Sequence, residues 1–431
     1  MYARKRLDIG WRDLAHGMRA CAFSWDEGPV RERVERWFSP HEDAIACLSV
    51  RSGLDLFLEA AALPPGSEVL MSALTIPDMW KIVERHGLVP VPVDLDPGTL
   101  APKPEAWLSA ASERTRAVLV AHLFGARVAL EPIARIARER GWILLEDCAQ
   151  SFTGDTQRGN PLADVSMFSF GPIKTATALT GGVLVVRDRQ LLGRMRAQQA
   201  AQPLQGRRAY FTRILKYSGL AALTKWPCYA IFVRACRLLD KDHDLVIQGS
   251  VRGFAGGDFF AKIRHRPNAA LLSLLARRLE STDSWRVDGR VARARRLTSH
   301  LPGGLTIPGA KAPFHSFWVF TVLADDPDRI VRVLRAAGFD ATRAASLRSV
   351  PAPTSAPSVT TSRAVAEPRE AQRILARTVY LPVYPEMPEP AIDAMADALR
   401  LALRLAPVER ESSVVLTPAP ASPGIFPRPR P

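Results

Sequence analysis

Between residues 44 and 186, short apolar runs alternate with stretches of helical periodicity, and that rhythm admits few folds. Ala44-Ile45-Ala46-Cys47-Leu48, Glu68-Val69-Leu70-Met71, Ala117-Val118-Leu119-Val120, Trp142-Ile143-Leu144-Leu145 and Val183-Leu184-Val185-Val186 are almost wholly apolar, as strands covered on both faces must be. Helical patterns lie between them at 54–62, 79–86 and 131–140. The segment Val89-Pro90-Val91-Pro92-Val93-Asp94 is extended, but its prolines cannot donate to a ladder, which places it at a sheet edge. The expectation is an α/β fold, a mostly parallel sheet with helices on both faces.

At 431 residues the chain can hold two domains and a large core. The formal charge of +15, mostly an arginine excess, suits either a solvated surface or an anionic partner. No zinc-finger spacing and no aromatic-rich basic motif accompanies it, so nucleic acid is not expected as a partner. Five cysteines are scattered with no CxxC pair, as in a reduced cytoplasmic protein with free thiols and no structural metal. The basic start Met1-Tyr2-Ala3-Arg4-Lys5-Arg6 is followed by no apolar h-region, so no signal peptide is expected.

Residues 205–262 break the rhythm with an apolar and basic stretch. The uncharged run 226–233 has only eight residues, far short of the roughly 20 that span a bilayer. A helical insertion packed on the domain or on a dimer partner is the leading expectation, and an interfacial membrane contact through 214–239 the alternative. From 263 to 407 the pattern returns to α/β, with strands at 317–323 and 377–381 and helices at 327–337 and 391–405. A Pro- and Ser-rich loop at 352–368 interrupts that unit, and a Pro-rich tail at 408–431 carries no pattern of regular structure. The domain expectation is therefore 1–204, an insertion 205–262, a small domain 263–407 and the tail.

One constellation carries chemistry. Asp147 follows the apolar run ending at Leu145, and Lys174 comes 27 positions later in Ser169-Phe170-Gly171-Pro172-Ile173-Lys174. A carboxylate at a strand end and a lysine on a Ser- and Gly-rich loop suit pyridoxal phosphate (PLP). The amine condenses with the cofactor aldehyde, and the carboxylate keeps the pyridine nitrogen protonated. Further blocks stand in a specific order: Ser52-Gly53; Gly66 to Leu70; Val93-Asp94-Leu95-Asp96; Ala121-His122-Leu123-Phe124-Gly125; Glu146-Asp147-Cys148-Ala149-Gln150; and Leu381-Pro382-Val383-Tyr384-Pro385-Glu386. Together they make the chain, over about 34–407 without the insertion, resemble the DegT/DnrJ/EryC1/StrS aminotransferases, a fold-type I PLP family.

That resemblance implies a large PLP-binding domain and a smaller C-terminal α/β domain. It implies Lys174 as the reacting lysine, Asp147 as the pyridinium partner, Gln150 near the ring oxygen and Ser169 on the phosphate. Ser52 and Gly53, read as preceding a helix, would place its first N–H groups on the same phosphate. Arg264 and Arg266 match a segment that reaches the phosphate across a homodimer. Three departures stand out: Leu54 and Asp55 follow Ser-Gly, Ile76 replaces a ring-stacking aromatic with Trp80 the nearest, and Thr175-Ala176-Thr177-Ala178 follows the lysine. A carboxylate at Asp55 would repel a phosphate unless it points away or pairs with Arg51. The implied activity is transfer of an amino group from glutamate to a keto-sugar, nucleotide-linked, for cell-surface polysaccharide or secondary metabolites. Alternatives are a lipid-linked acceptor, a PLP-dependent dehydratase or eliminase, and a degenerate member without activity.

Overall fold

The six expected runs and a strand not expected from the sequence, Val165–Ser169, form a seven-stranded sheet in the order β1-β9-β8-β7-β5-β2-β4. Its strands are β1 (Ala44–Cys47), β2 (Glu68–Ser72), β4 (Val89–Val93), β5 (Thr115–Ala121), β7 (Ile143–Asp147), β8 (Val165–Ser169) and β9 (Gly182–Val186), with the short β3 (Leu74–Thr75) and β6 (Ala126–Arg127) outside it. The β4-β2-β5-β7-β8 run is parallel, and β9 is antiparallel to both β8 and β1. The proline-bearing β4 is an edge strand, as its missing donors require. This computed structural model describes all residues except 5–6, 24–25, 155–156, 224–227, 240–257, 283, 344–345, 354–364 and 405–431. The Pro-rich tail and parts of the insertion and of the 352–368 loop thus lie outside the described residues.

Helices cover both faces. Among them are α1 (Trp11–Ala22), α2 (Glu27–Phe38), α3 (Val50–Ala61) and α4 (Pro77–Arg85). One apolar cluster joins Ile45, Leu54, Phe57, Leu145 and Leu184. Another lies between α1, α2, the sheet and the helix Ala269–Glu280, with Leu14, Val34, Phe168 and Leu274 buried together.

That second cluster crosses the division expected at 263. The helix Ala269–Glu280 buries Leu271, Leu272, Leu274 and Leu275 in the large-domain core, so the division expected at 263 does not coincide with the cores. A separate cluster begins with Ala294 and Leu297 on the helix Ser284–Ser299, and adds Phe320, Ile330, Leu334, Val379 and Leu399. The C-terminal unit is stitched to the sheet side by Phe314–His315 pairing with β6 and Arg348–Ser349 pairing with β3.

The described start of the insertion is a helix, Arg207–Leu223, packed on α1. It buries Tyr210, Ile214 and Tyr217 in the same cluster as Leu14 and Leu274. A second helix, Cys228–Leu238, is tethered where Tyr229 Oη donates to Asp340 Oδ2 at 2.7 Å. No helix of the described residues is long and apolar enough to cross a membrane.

Candidate active site

Strand direction gathers the expected residues at one edge. Asp147 is the last residue of β7 and Ser169 the last of β8, while β9 starts at that edge with Gly182 opposite Ser169 and Cys47. The carboxyl ends of parallel strands are where open α/β sheets leave a crevice. β1 also ends there, and α3 follows from it with its N-terminus at the same edge.

Asp147 is nine-tenths buried, and its Oδ1 accepts the Ala149 N–H at 2.9 Å. Burial pushes this carboxyl above the ordinary range, while the Ala149 N–H, Lys174 and Arg51 draw it part of the way back. Lys174 is half-buried on the loop after β8. Burial lowers its amine to about 8, against the opposing pull of Asp147 and with help from Arg51. An amine shifted from 10.5 to about 8 is free at neutral pH roughly two to three orders of magnitude more often. Ser169 Oγ and Lys174 Cγ both flank Gly171, lying 3.8 and 3.9 Å from where its Cβ would stand.

The lysine loop is held from several sides. Thr177 Oγ1 donates to Gly171 O at 2.6 Å, and Ala176 N–H donates to Asp8 Oδ2 at 2.8 Å. From the insertion, Tyr210 Oη donates to Ala178 O at 2.9 Å and Arg213 to Leu179 O at 3.3 Å. The first insertion helix therefore braces this loop from behind.

Several expected roles change. α3 begins at Val50 rather than at Leu54, because Ser49 caps it by accepting the Ser52 N–H at 3.2 Å. Ser52 sits inside the first turn, and its N–H is already used by Ser49. Gly53 meets the sheet: a Cβ there would stand 2.1 Å from Leu184 Cδ1, which makes close helix packing its reason to be glycine. Leu54 is buried in the apolar cluster with Leu145 and Leu184. Ile76 is half-buried at the N-cap of α4, and Trp80 is buried in the core below. Gln150 Oε1 accepts the Phe124 N–H at 2.9 Å, fixing a residue whose φ is +57°.

The arginines differ most. Arg264 holds Asp55 of its own chain bidentately, so its guanidinium is committed away from a phosphate. Arg266 lies 3.8 Å from Glu27. Asp55 does not pair with Arg51, which donates to Asp78 Oδ2 at 2.5 Å.

Two residues were missed by sequence reasoning. Arg51, on the first turn of α3, acts electrostatically on both Lys174 and Asp147. Ser49, as an N-cap two residues before it, was the signal for its place. Trp318 lies with its ring 4.1 Å from Lys174 Nζ, and no local pattern links residues so far apart in sequence. Nearby, His122, Glu146 and Cys148 cluster in the core. Both Glu146 oxygens are already occupied, by His122, Ser166 Oγ and the Asn160 N–H, so the cluster reads as a hydrogen-bonded brace.

These residues fit pyridoxal phosphate. Asp147 is a buried carboxylate with one backbone donor, a setting that a cationic ring N–H would complete. The Ser169 hydroxyl, the N-terminus of α3 and the positive charge of Arg51 lie at the same edge, and such a set suits a bound anion.

Comparison with known proteins agrees with the geometry. Residues 19–220 match the DegT/DnrJ/EryC1/StrS aminotransferase family. Over those residues, the chain is similar to that family. An L-glutamine:2-deoxy-scyllo-inosose aminotransferase of Streptomyces fradiae is 36% identical over 180 residues, 39% of this chain and 42% of that protein. A GDP-perosamine synthase of Caulobacter vibrioides is 34% identical over 218 residues, 48% of this chain and 58% of that protein. The chain thus spans less than two thirds of these curated relatives. A solved aminotransferase of Streptoalloteichus hindustanus shares the fold with a TM-score of 0.68 at 22% identity, covering 94% of this chain and 99% of that one. A sugar aminotransferase of Micromonospora echinospora does so with a TM-score of 0.64 at 20% identity, covering 93% and 100%. The fold expected for this family is therefore present.

Proposed function

We propose that this protein is a PLP-dependent aminotransferase that moves an amino group from glutamate to a nucleotide-linked keto-sugar. The observation that carries the reading is the placement of Lys174 and Asp147 at the carboxyl edge of the sheet, where the charge of each acts on the other. PLP, when bound, supplies an aldehyde for amines and a ring that accepts electrons. Asp147 would hold a proton on the ring nitrogen. The Lys174 amine would take and return the proton at the substrate carbon, a task its lowered pKa suits. Ser169, the start of α3 and Arg51 would hold the phosphate. The acceptor class rests on relatives named for an inosose and for GDP-perosamine, and a net charge of +15 is compatible with an anionic diphosphate. The reading includes a homodimer.

Purified protein tests this directly. A yellow chain, bleached by borohydride and colourless as Lys174→Ala, is expected. Loss of the colour on adding glutamate marks transamination, and glutamine is the second donor to try because one relative is named for it. Nucleotide-sugars of several types then serve as acceptors. A protein that PLP cannot colour sinks the reading.

A peripheral membrane contact through 214–239 keeps one supporting observation. Ile231, Leu238 and Leu239 are 65%, 80% and 67% exposed. Flotation with anionic liposomes is expected if these residues meet a membrane, and its absence assigns them to protein contacts.

A further inference from the structure

Trp318 approaches the reactive lysine from the C-terminal unit. Its ring lies 4.1 Å from Lys174 Nζ, and its indole N–H donates to Ile173 O at 3.1 Å. One side chain therefore holds both the amine and the backbone just before it.

The placement of Trp318 is built into the fold. Phe314 and His315 pair with β6, and Ser316 N–H donates to Gly125 O at 2.8 Å. Gly125, with φ +103°, must be glycine: a Cβ there would stand 2.5 Å from Trp318 N and 2.9 Å from Phe317 N. Gln150 fixes the neighbouring Phe124, so the large domain presents a rigid seat to residues 316–318. The expected stacking aromatic is replaced by Ile76, and Trp80 is buried in the core. Trp318 is the aromatic that the structure brings to Lys174.

We propose that Trp318 is a positioning residue for Lys174, whose ring face seats the amine and whose indole N–H anchors the loop that carries it. This rests on the reading above only in taking Lys174 as the reacting amine. An ammonium over an indole face is stabilised by the ring quadrupole, so the ring opposes the lowering caused by burial. Replacing Trp318 by alanine would also admit water, which acts in the opposite direction. Leucine keeps cover but removes the π face, and phenylalanine keeps a π face but removes the N–H.

The test is competitive acylation of the Lys174 amine in the full-length chain, freed of carbonyl compounds with hydroxylamine and read by mass spectrometry across pH. Trp318→Leu is expected to lower the pH midpoint of Lys174 labelling by about half a unit. Trp318→Phe is expected to keep it. An unchanged midpoint in Trp318→Leu overturns the proposal, and so does a Trp318→Phe midpoint as low as that of Trp318→Leu. Should Trp318→Leu not fold, Trp318→Met makes the same substitution of cover without a π face. The readout needs no PLP, so a chain that never binds it can still sustain this inference while the aminotransferase reading fails.

Discussion

Asp55 and Arg264 face each other through two hydrogen bonds, Nε to Oδ2 at 2.8 Å and the terminal nitrogen to Oδ1 at 2.9 Å. His86 Nε2 adds a third contact to Asp55 at 3.0 Å. Burial raises the Asp55 carboxyl, but His86 and Arg264 more than offset it and hold it low. This pair clips the segment after helix Phe259–Ile263 onto the buried side of α3. Breaking one partner of a buried pair leaves an uncompensated charge. Arg264→Ala is therefore expected to lose about 2–4 kcal/mol of stability in urea unfolding. If Arg264→Ala instead weakens PLP capture with stability intact, the clip is the wrong role.

Lys174 sets a pH profile. A lysine amine reacts when unprotonated, so colour development on adding PLP should speed up through about pH 8 and level off above it. An ordinary lysine at 10.5 would still be accelerating at pH 10. A stopped-flow series from pH 6 to 10 decides between them.

Asp147 couples function against stability. Its carboxyl is raised in the folded chain, so the folded state binds more protons above the ordinary value of 3.8 and loses stability as pH rises there. Asp147→Asn should raise the thermal midpoint of the PLP-free chain at neutral pH. The same substitution should cut transamination by roughly 10²–10⁴-fold. A variant that is both active and less stable contradicts this assignment.

Glu146 shows the opposite sign. Burial raises it, but His122, Ser166 and the Asn160 N–H outweigh that and hold it at about 2, below its ordinary 4.5. Its contribution to stability is present above 4.5 and lost as pH falls toward 2. Glu146→Gln should flatten the acid-unfolding curve in that window, measured by circular dichroism.

Gly53→Ala tests the packing role. The added methyl would reach within 2.1 Å of Leu184 Cδ1 in a closed core, so the side chain must shift. A cost of about 1–3 kcal/mol is expected in denaturant unfolding. Full stability would mean that Leu184 swings clear of the added methyl at no cost, and that close packing is not why residue 53 is glycine.

Six strands of the sheet were legible because a two-sided buried strand must be apolar throughout, and β4 declared its edge by its prolines; β8 was not, because Ser166 and Ser169 interrupt its apolar run. Helix 131–140 was legible from its pattern, and it ends where Gly141 turns left-handed at φ +66°. α3 was misplaced because Ser52-Gly53 drew attention from Ser49, the cap that the first turn uses. The packing of helix Ala269–Glu280 was not legible, because leucine periodicity shows that a helix is amphipathic without saying which core receives it.

Sequence alone picked out Asp147, Ser169 and Lys174 as candidates, and the fold puts the first two at strand ends and the third on the loop that follows. Tertiary structure decided their neighbours. Arg264 went to Asp55, Tyr210 came to brace the lysine loop, and Trp318 reached Lys174 from far along the chain. The reason is physical: a side chain's partner is whatever charge or π face the packed chain brings within a few ångströms, and local sequence carries no record of that distance.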